Sequence, residues 1–327
     1  MRAWLCRQPG DYSDLELTDL PEPVPGPDEL CIQTQAVSVG FPEMLMTQGL
    51  YQLKPEPPFV PGMEFAGRVC AVGSAVDTFQ VDDLVMGTVR FGAYAEQIVT
   101  KPDLCLRIPA GFDVGTAAAF LIAYKTAYVG LVERGRLRAG DKVLVHGAAG
   151  GVGLAAVDLA NALGAEVYAS ASSADKRKIV AEHGASFTFD AAAQNFNELV
   201  KAQNHGGGVD MVFDPVGGDV FDESLRCLAP LGRLLVIGFA SGRIPTLPVN
   251  YALIKQLEII GVRAGEYGRL DAAADARVNE ALLNLAGSGR LQPHVHARLP
   301  FAALKDAFDQ LSGRTVVGRI VLDVYED

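Results

Sequence analysis

KVLVHGAAGGVGLAAVDLANALGAEVYASASS, residues 142–173, reads as one supersecondary unit. Residues 143–146 make a short apolar strand, HGAAGGVG turns through small residues, a helical pattern runs on until Gly164 stops it, and a second strand starts at Glu166. Strand, turn, helix and strand within about thirty residues is the size of a βαβ unit. Gly150, Gly151 and Gly153 carry no Cβ, so the backbone can turn tightly, approach a pyrophosphate and let the helix pack on the strand. The free N–H groups of a helix start face such an anion. Ala149, Gly150, Gly151, Val152 and Gly153 are therefore the candidate pyrophosphate-binding set, with Ala148 standing where the first glycine of G-x-G-x-x-G usually falls.

Towards the C-terminus, apolar runs alternate with helical patterns. Strands are expected near 186–189, 209–213, 233–237 and 257–262, with helices near 195–204 and 221–228. Together with 143–146 and 166–170 they make six strands, the count of a doubly wound Rossmann sheet. Right-handed crossovers place a ligand over the strand C-termini. The loops 215–218 and 238–242 belong there, which makes Val216 and Phe239 expected neighbours of the nucleotide. An Asp or Glu normally ends the second strand when the ribose carries no phosphate. Here that strand runs into Ser172 and Ser173, with Lys176 and Arg177 beyond. Hydroxyls and two cations suit a phosphate dianion, so NADPH is favoured.

Towards the N-terminus the pattern becomes all-β, with apolar runs at 30–36, 65–72, 84–87 and 95–99 broken by Pro and Gly. PEPVPGPDEL, residues 21–30, is a stiff extended connector. This predicts an irregular β-barrel over 1–123. Residues 111–132 read as a helix pair leading into a nucleotide domain, 124–263. Helices at 272–286 and 301–311 and strands at 294–299 and 318–324 are expected to return the chain to the barrel over 264–327.

HGAAGGVGL at 146–154, LIAYKTAY at 121–128 and DPVGG at 214–218 together resemble the zinc-free quinone oxidoreductase branch of the medium-chain dehydrogenase/reductase superfamily. The resemblance spans nearly the whole chain, ending in GRIVL at 318–322. It implies a GroES-like substrate domain beside the Rossmann domain, homodimerisation through the edge of the nucleotide-binding sheet, and NADPH-dependent reduction of a quinone or similar conjugated carbonyl. It also places Thr126 near the nicotinamide carboxamide, although a helix-capping role fits that residue equally. Arg319 matches a basic residue that approaches the cofactor in the family.

Zinc-dependent relatives carry a cysteine near Gly40 and a histidine in a G-H-E motif, which here is Gly62, Met63 and Glu64. A thioether does not replace imidazole at a catalytic zinc. The four-cysteine structural lobe is missing, and His294 and His296 have no third ligand nearby in sequence, so no metal is expected. The zinc-free branch usually reads N-F-x-D-x-Y-x-R where this chain has GFPEMLMT. Phe41 is kept, while Gly40, Glu43, Leu45 and Thr47 replace the other four. Phe41, Glu43, Leu45, Tyr51 and Tyr124 form the expected substrate pocket, more apolar than the family pattern. Tyr51, in QGLY, matches a tyrosine of the similar trans-2-enoyl thioester reductases that orients or protonates substrate; packing in a turn is the other reading. An enoyl or acrylyl substrate is therefore the alternative to a quinone, and a non-catalytic NADPH-binding protein is the alternative from another class.

The 327 residues, 49% of them apolar and 20% charged, suffice for about two globular domains. A formal charge of −11 argues against nucleic-acid or anionic-membrane partners. The chain start shows no secretory pattern and the five cysteines are scattered, so a cytoplasmic protein with unpaired thiols is expected.

Overall fold

Proline and glycine punctuation cuts the first part of the chain into short strands: β1 (Arg2–Leu5), β2 (Glu16–Asp19), β3 (Leu30–Val39), β4 (Glu64–Val72), β5 (Leu84–Thr88), β6 (Gln97–Thr100) and β7 (Cys105–Arg107). Six more follow: β8 (Lys142–Val145), β9 (Glu166–Ala171), β10 (Ala185–Asp190), β11 (Val209–Asp214), β12 (Leu228–Val236) and β13 (Glu258–Gly261). β14 (Val295–Pro300) and β15 (Arg319–Asp323) close the chain. The structure, a computed structural model, describes residues 1–325. It divides into one unit made of Met1–Ile122 and the segment from Pro293 onward, and a second made of Ala123–Gln292.

The first unit is organised by β3. Its first half, Leu30 to Gln33, pairs with β6, and its second half, Ala36 to Val39, pairs with β15, while β4 runs along its other edge. A strand that changes partner midway, with register shifts against β4, turns a sheet corner and closes the sheet towards a barrel. The strand order is β14-β15-β3-β4-β5-β7, with only β14 and β15 parallel. Inward residues Leu30, Ile32, Val37, Val39, Phe65, Val69, Val85, Ile320 and Leu322 fill it together with Trp4, Tyr94 and Phe308.

The second unit has the order β10-β9-β8-β11-β12-β13, every pair parallel, which is the arrangement of a full doubly wound Rossmann sheet. Its central strands, KVLV and VDMVFD, are buried on both faces over nearly their whole length, as in parallel sheets covered by helices. The helices Gly151–Ala162, Ala174–Glu182, Phe196–Gln203 and Asp219–Cys227 supply the crossovers. The helix pair expected over 111–132 is present as Val114–Ala118 and Leu121–Tyr128, extended by a π-helical turn, Val129–Arg134.

The return to the barrel comes later than residue 264. Helices Ala264–Leu270 and Ala272–Gly287 stay with the second unit. Polar ties hold them there: Lys125 pairs with Asp275 at 2.8 Å, the Tyr267 hydroxyl donates to Glu133 at 2.6 Å, and Gln292 N–H donates to Asp158 at 2.8 Å. Helical periodicity locates such a helix but not the unit it packs against; the long-range pairs decide that. Residues 326 and 327 of the expected return lie outside the described residues. Among the described residues, no helix is long and apolar enough to cross a membrane.

Candidate functional site

The nucleotide site is built at the C-terminal ends of β8, β9, β11 and β12. His146 N–H donates to the Phe213 carbonyl at 3.0 Å and Ala148 N–H to the Ser170 carbonyl at 3.0 Å, tying the glycine loop to the strands on either side. Gly147 takes a left-handed φ of +54°, and a Cβ there would lie 3.3 Å from Val216 Cγ2. A Cβ on Gly153 would overlap the Gly147 carbonyl oxygen, so only glycine lets the helix start so close beneath the turn. Gly150 is the N-cap of helix Gly151–Ala162 and supplies no side-chain cap, while Ala148 and Ala149 are buried behind it. Gly150 is exposed and Gly151 and Val152 half-buried, which leaves the first-turn N–H groups for an anion. These residues fit a dinucleotide pyrophosphate.

Asp214 ends β11 and accepts from the N–H groups of Val216 at 2.8 Å and Gly217 at 2.9 Å, shaping the next loop. Burial pushes its carboxyl pKa up, and those two N–H groups pull it back. Gly217 has φ +68°, and a Cβ on it would stand 2.9 Å from the Phe239 ring. Val216 and Phe239, separated in sequence, thus come to the same edge of the sheet as the glycine loop. His146, which sequence reasoning left as an isolated histidine, is buried between Ser170, 3.0 Å from Nδ1, and Ser224, 2.9 Å from Nε2. Ser224 donates its proton to the Val220 carbonyl, so Nε2–H donates to Ser224 and Nδ1 accepts from Ser170. Burial pushes the imidazole pKa down to about 3, which keeps it neutral.

At the end of β9, Ser172 and Ser173 face solvent. Ser173 caps helix Ala174–Glu182, accepting from Lys176 N–H at 3.3 Å. Arg177 Nη1 donates to the Ala171 carbonyl at 3.1 Å and to Asp190 at 3.0 Å. The cation is therefore held at the strand end by an acid from β10, a partner that sequence reasoning had not assigned to it.

One expected substrate-side residue has structural work. Tyr124 is buried and its hydroxyl donates to Asp158 at 2.6 Å, so it joins helix Leu121–Tyr128 to helix Gly151–Ala162 instead of lining a pocket. Thr126 sits half-buried on the same helix. In the first unit, GFPEMLMT folds as helix Phe41–Thr47 with Gly40 as N-cap, an element its sequence did not announce. Phe41 is exposed, Leu45 is half-buried, and Tyr51 packs at the edge of the barrel core. Glu43 points inward and is fully closed to solvent.

Glu43 meets Glu64 and Arg319 there. Arg319 Nη2 donates to Ser38 Oγ at 2.6 Å and to Glu64 at 3.1 Å, and lies 4.0 Å from Glu43. Glu64 also accepts from Ser38 Oγ at 2.8 Å and from Ile122 N–H at 3.0 Å. A Cβ on Gly40 would overlap the Arg319 guanidinium, so the missing side chain makes the slot that the arginine fills. Arg319, expected near the cofactor, is a buried side chain: among the described residues its guanidinium is set against Glu64, Ser38 and Glu43 inside the barrel. Burial pushes Glu64 up to about 7 although Arg319 pulls it down, and pushes Glu43 up as well. Neither Glu43 oxygen has a hydrogen-bond partner among the described residues whereas Glu64 has three donors, so Glu43 is the better placed of the two to hold a proton.

The same slot tests the fit of zinc. Gly40 offers no ligand, Met63 offers a thioether, and a guanidinium already fills the space against Gly40. These residues do not fit a catalytic zinc. Among the described residues, no group of three or more His, Cys, Asp or Glu side chains could hold a metal ion.

Comparison with known proteins agrees with this anatomy. A family model described as zinc-binding dehydrogenase matches residues 151–279, and one described as alcohol dehydrogenase GroES-like domain matches residues 26–132. Quinone oxidoreductase-like protein 2 of Mus musculus is 35% identical over 98% of this chain and 96% of its own. A mycobacterial protein solved in complex with NADPH is 31% identical with a TM-score of 0.91, covering 99% of this chain and 100% of that one. Escherichia coli quinone oxidoreductase, also complexed with NADPH, is 26% identical with a TM-score of 0.90, over 99% of this chain and 100% of that one. With its Rossmann sheet, its GroES-like domain and these relatives, the chain belongs to the quinone oxidoreductase-like branch of the medium-chain dehydrogenase/reductase superfamily.

Proposed function

We propose that this protein is an NADPH-dependent reductase that works without metal on a quinone or a similar conjugated carbonyl. The observation that carries the reading is the uncapped start of helix Gly151–Ala162, opened by Gly153 under the Gly147 carbonyl and flanked by Val216 and Phe239. NADPH would supply a hydride when bound. Ala149, Gly150, Gly151, Val152 and Gly153 would hold its pyrophosphate, and Ser172, Ser173, Lys176 and Arg177 its 2′-phosphate. Val216 and Phe239 would exclude water beside the nicotinamide, with Thr126 available to its carboxamide.

A quinone is electrophilic enough to accept hydride without a strong protein acid, and Gly40 and Met63 do not suit the zinc that would polarise an alcohol. Phe41, Leu45 and Tyr51 would present an apolar surface to a flat acceptor. Tyr51, a half-buried residue, favours a second reading, reduction of an enoyl thioester, in which its hydroxyl orients or protonates the substrate. A cytoplasmic homodimer belongs to the same proposal. Val249, Leu253 and Ile254 stand exposed on the helix that leads into β13, the terminal strand of the parallel sheet.

Loss of NADPH absorbance with a soluble quinone, and separately with a short enoyl thioester, tests the reaction. The expected result is turnover on the quinone with NADPH, little with NADH, and no loss after chelation. Turnover on the thioester alone would replace the quinone reading, and NADPH binding without turnover on either would sink the enzymatic one. Light scattering of the purified chain tests the dimer, and a monomer at micromolar concentration would refute it.

A further inference from the structure

Cys31 and Cys70 lie across the β3–β4 pairing, and neither belongs to the residues assigned above. Cys31 pairs with Ala71 while the next residue, Ile32, pairs with Val69, so Cys70 is the extra residue of a bulge. A bulge leaves its extra residue unpaired beside the opposing strand. The Cys70 thiol donates to the Cys31 carbonyl at 3.3 Å, and the Cys31 thiol donates to Gln97 Oε1 at 3.8 Å. Cys31 is buried and Cys70 is exposed. All five cysteines are free thiols, and Cys6, Cys105 and Cys227 are each buried elsewhere.

We propose that Cys70 and Cys31 form a reversible redox site, in which an exposed thiol meets the oxidant and its buried neighbour closes a disulfide across the strand pair. With a hydroperoxide as oxidant, the Cys70 thiolate sulfur attacks the distal peroxide oxygen. The O–O bond breaks, Cys70 becomes a sulfenic acid, and the other oxygen leaves as alcohol or water. The Cys31 sulfur then attacks the Cys70 sulfur; the S–S bond forms, the S–O bond breaks, and hydroxide leaves as water with the proton of Cys31. Two thiols are oxidised by two electrons and one peroxide is reduced. A small thiol reverses the step by attacking the accessible Cys70 sulfur.

The division of labour follows from burial. Low dielectric surroundings and the neighbouring thiol push Cys31 up to about 12, so it stays protonated and does not compete for the oxidant. Cys105 and Cys227 are pushed up to about 12 by burial and are inert for the same reason. The exposed Cys70 sulfur leaves such a disulfide open to attack by a small thiol, which makes the site reversible.

The test uses the full chain with NADPH, treated with hydrogen peroxide, alkylated and digested. The expected product is a single intramolecular link between the Cys31 and Cys70 peptides, removed by dithiothreitol. In Cys31→Ser the link is lost and dimedone labels Cys70 as a sulfenic acid; in Cys70→Ser neither link nor label forms. Sulfinic acid on Cys70 of the unmutated chain with Cys31 still alkylated would overturn the proposal, as would a Cys70–Cys70 link between two chains. The unmutated mapping decides the matter even if a serine variant folds poorly.

Discussion

Arg319 donates to Glu64 at 3.1 Å in the sealed interior of the barrel, and Gly40 is the residue whose missing side chain admits it. One guanidinium thus serves two buried carboxyls, Glu43 and Glu64, of which one must remain neutral.

Replacing Glu43 by Gln imitates the protonated acid. A carboxyl whose folded pKa lies above its unfolded one contributes stability that is complete below the unfolded value and is lost as pH rises through the folded value. Both carboxyls shift upwards, Glu64 from 4.5 to about 7. The unmutated chain should therefore lose stability relative to Glu43→Gln as pH rises, and the variant should equal or exceed it above neutrality. Urea unfolding at about pH 5 and about pH 8 measures this, and a variant less stable at the higher pH would refute the neutral assignment.

Arg319→Met leaves Glu64 without its cation and should cost about 3–5 kcal/mol. Adding Glu64→Gln should recover a large part of that loss, because the uncompensated charge is gone. A double-mutant cycle in denaturant reads the coupling, and simple additivity would show that the pair does not act as one.

Gly153→Val puts branched carbon where even a Cβ overlaps the Gly147 carbonyl. The helix start must move off the turn, so NADPH affinity should fall at least tenfold, a loss of about 1.4 kcal/mol. Gly150→Ala, whose Cβ would meet the same oxygen at 3.3 Å, should lose less. Fluorescence titration with NADPH ranks the two, and an unchanged Gly153→Val would place the pyrophosphate elsewhere.

Asp190 and the proposed phosphate would compete for Arg177, which lies 3.0 Å from the carboxylate. Asp190→Asn should tighten NADPH with little effect on NADH. Arg177→Ala should weaken NADPH about ten- to hundredfold, as loss of a charge-assisted hydrogen bond predicts. Equal effects on both cofactors would remove Arg177 from the phosphate site.

Local pattern carried the sequence a long way. Small residues at 147–153 between two apolar runs can only be a tight strand-to-helix turn, and six apolar runs alternating with helical ones lead to a parallel sheet because each crossover must cover a face. Ser172, Ser173, Lys176 and Arg177 lie within six positions of one another, so a candidate phosphate cluster can be read from local sequence. The mismatch to a catalytic zinc is a matter of residue type alone, because Gly40 has no side-chain donor and Met63 has only a thioether. Tertiary structure decided the rest. Arg319 meets Glu64 across 255 positions and Tyr124 meets Asp158 across 34, and no spacing rule in the chain encodes either pairing. The helix expected at 272–286 was readable as a helix, whereas Ala264–Leu270 was not, and the unit of both depended on Lys125 and Glu133 reaching them. Periodicity fixes which face of an element is apolar, whereas the partner of a buried charge depends on what folding closes around it.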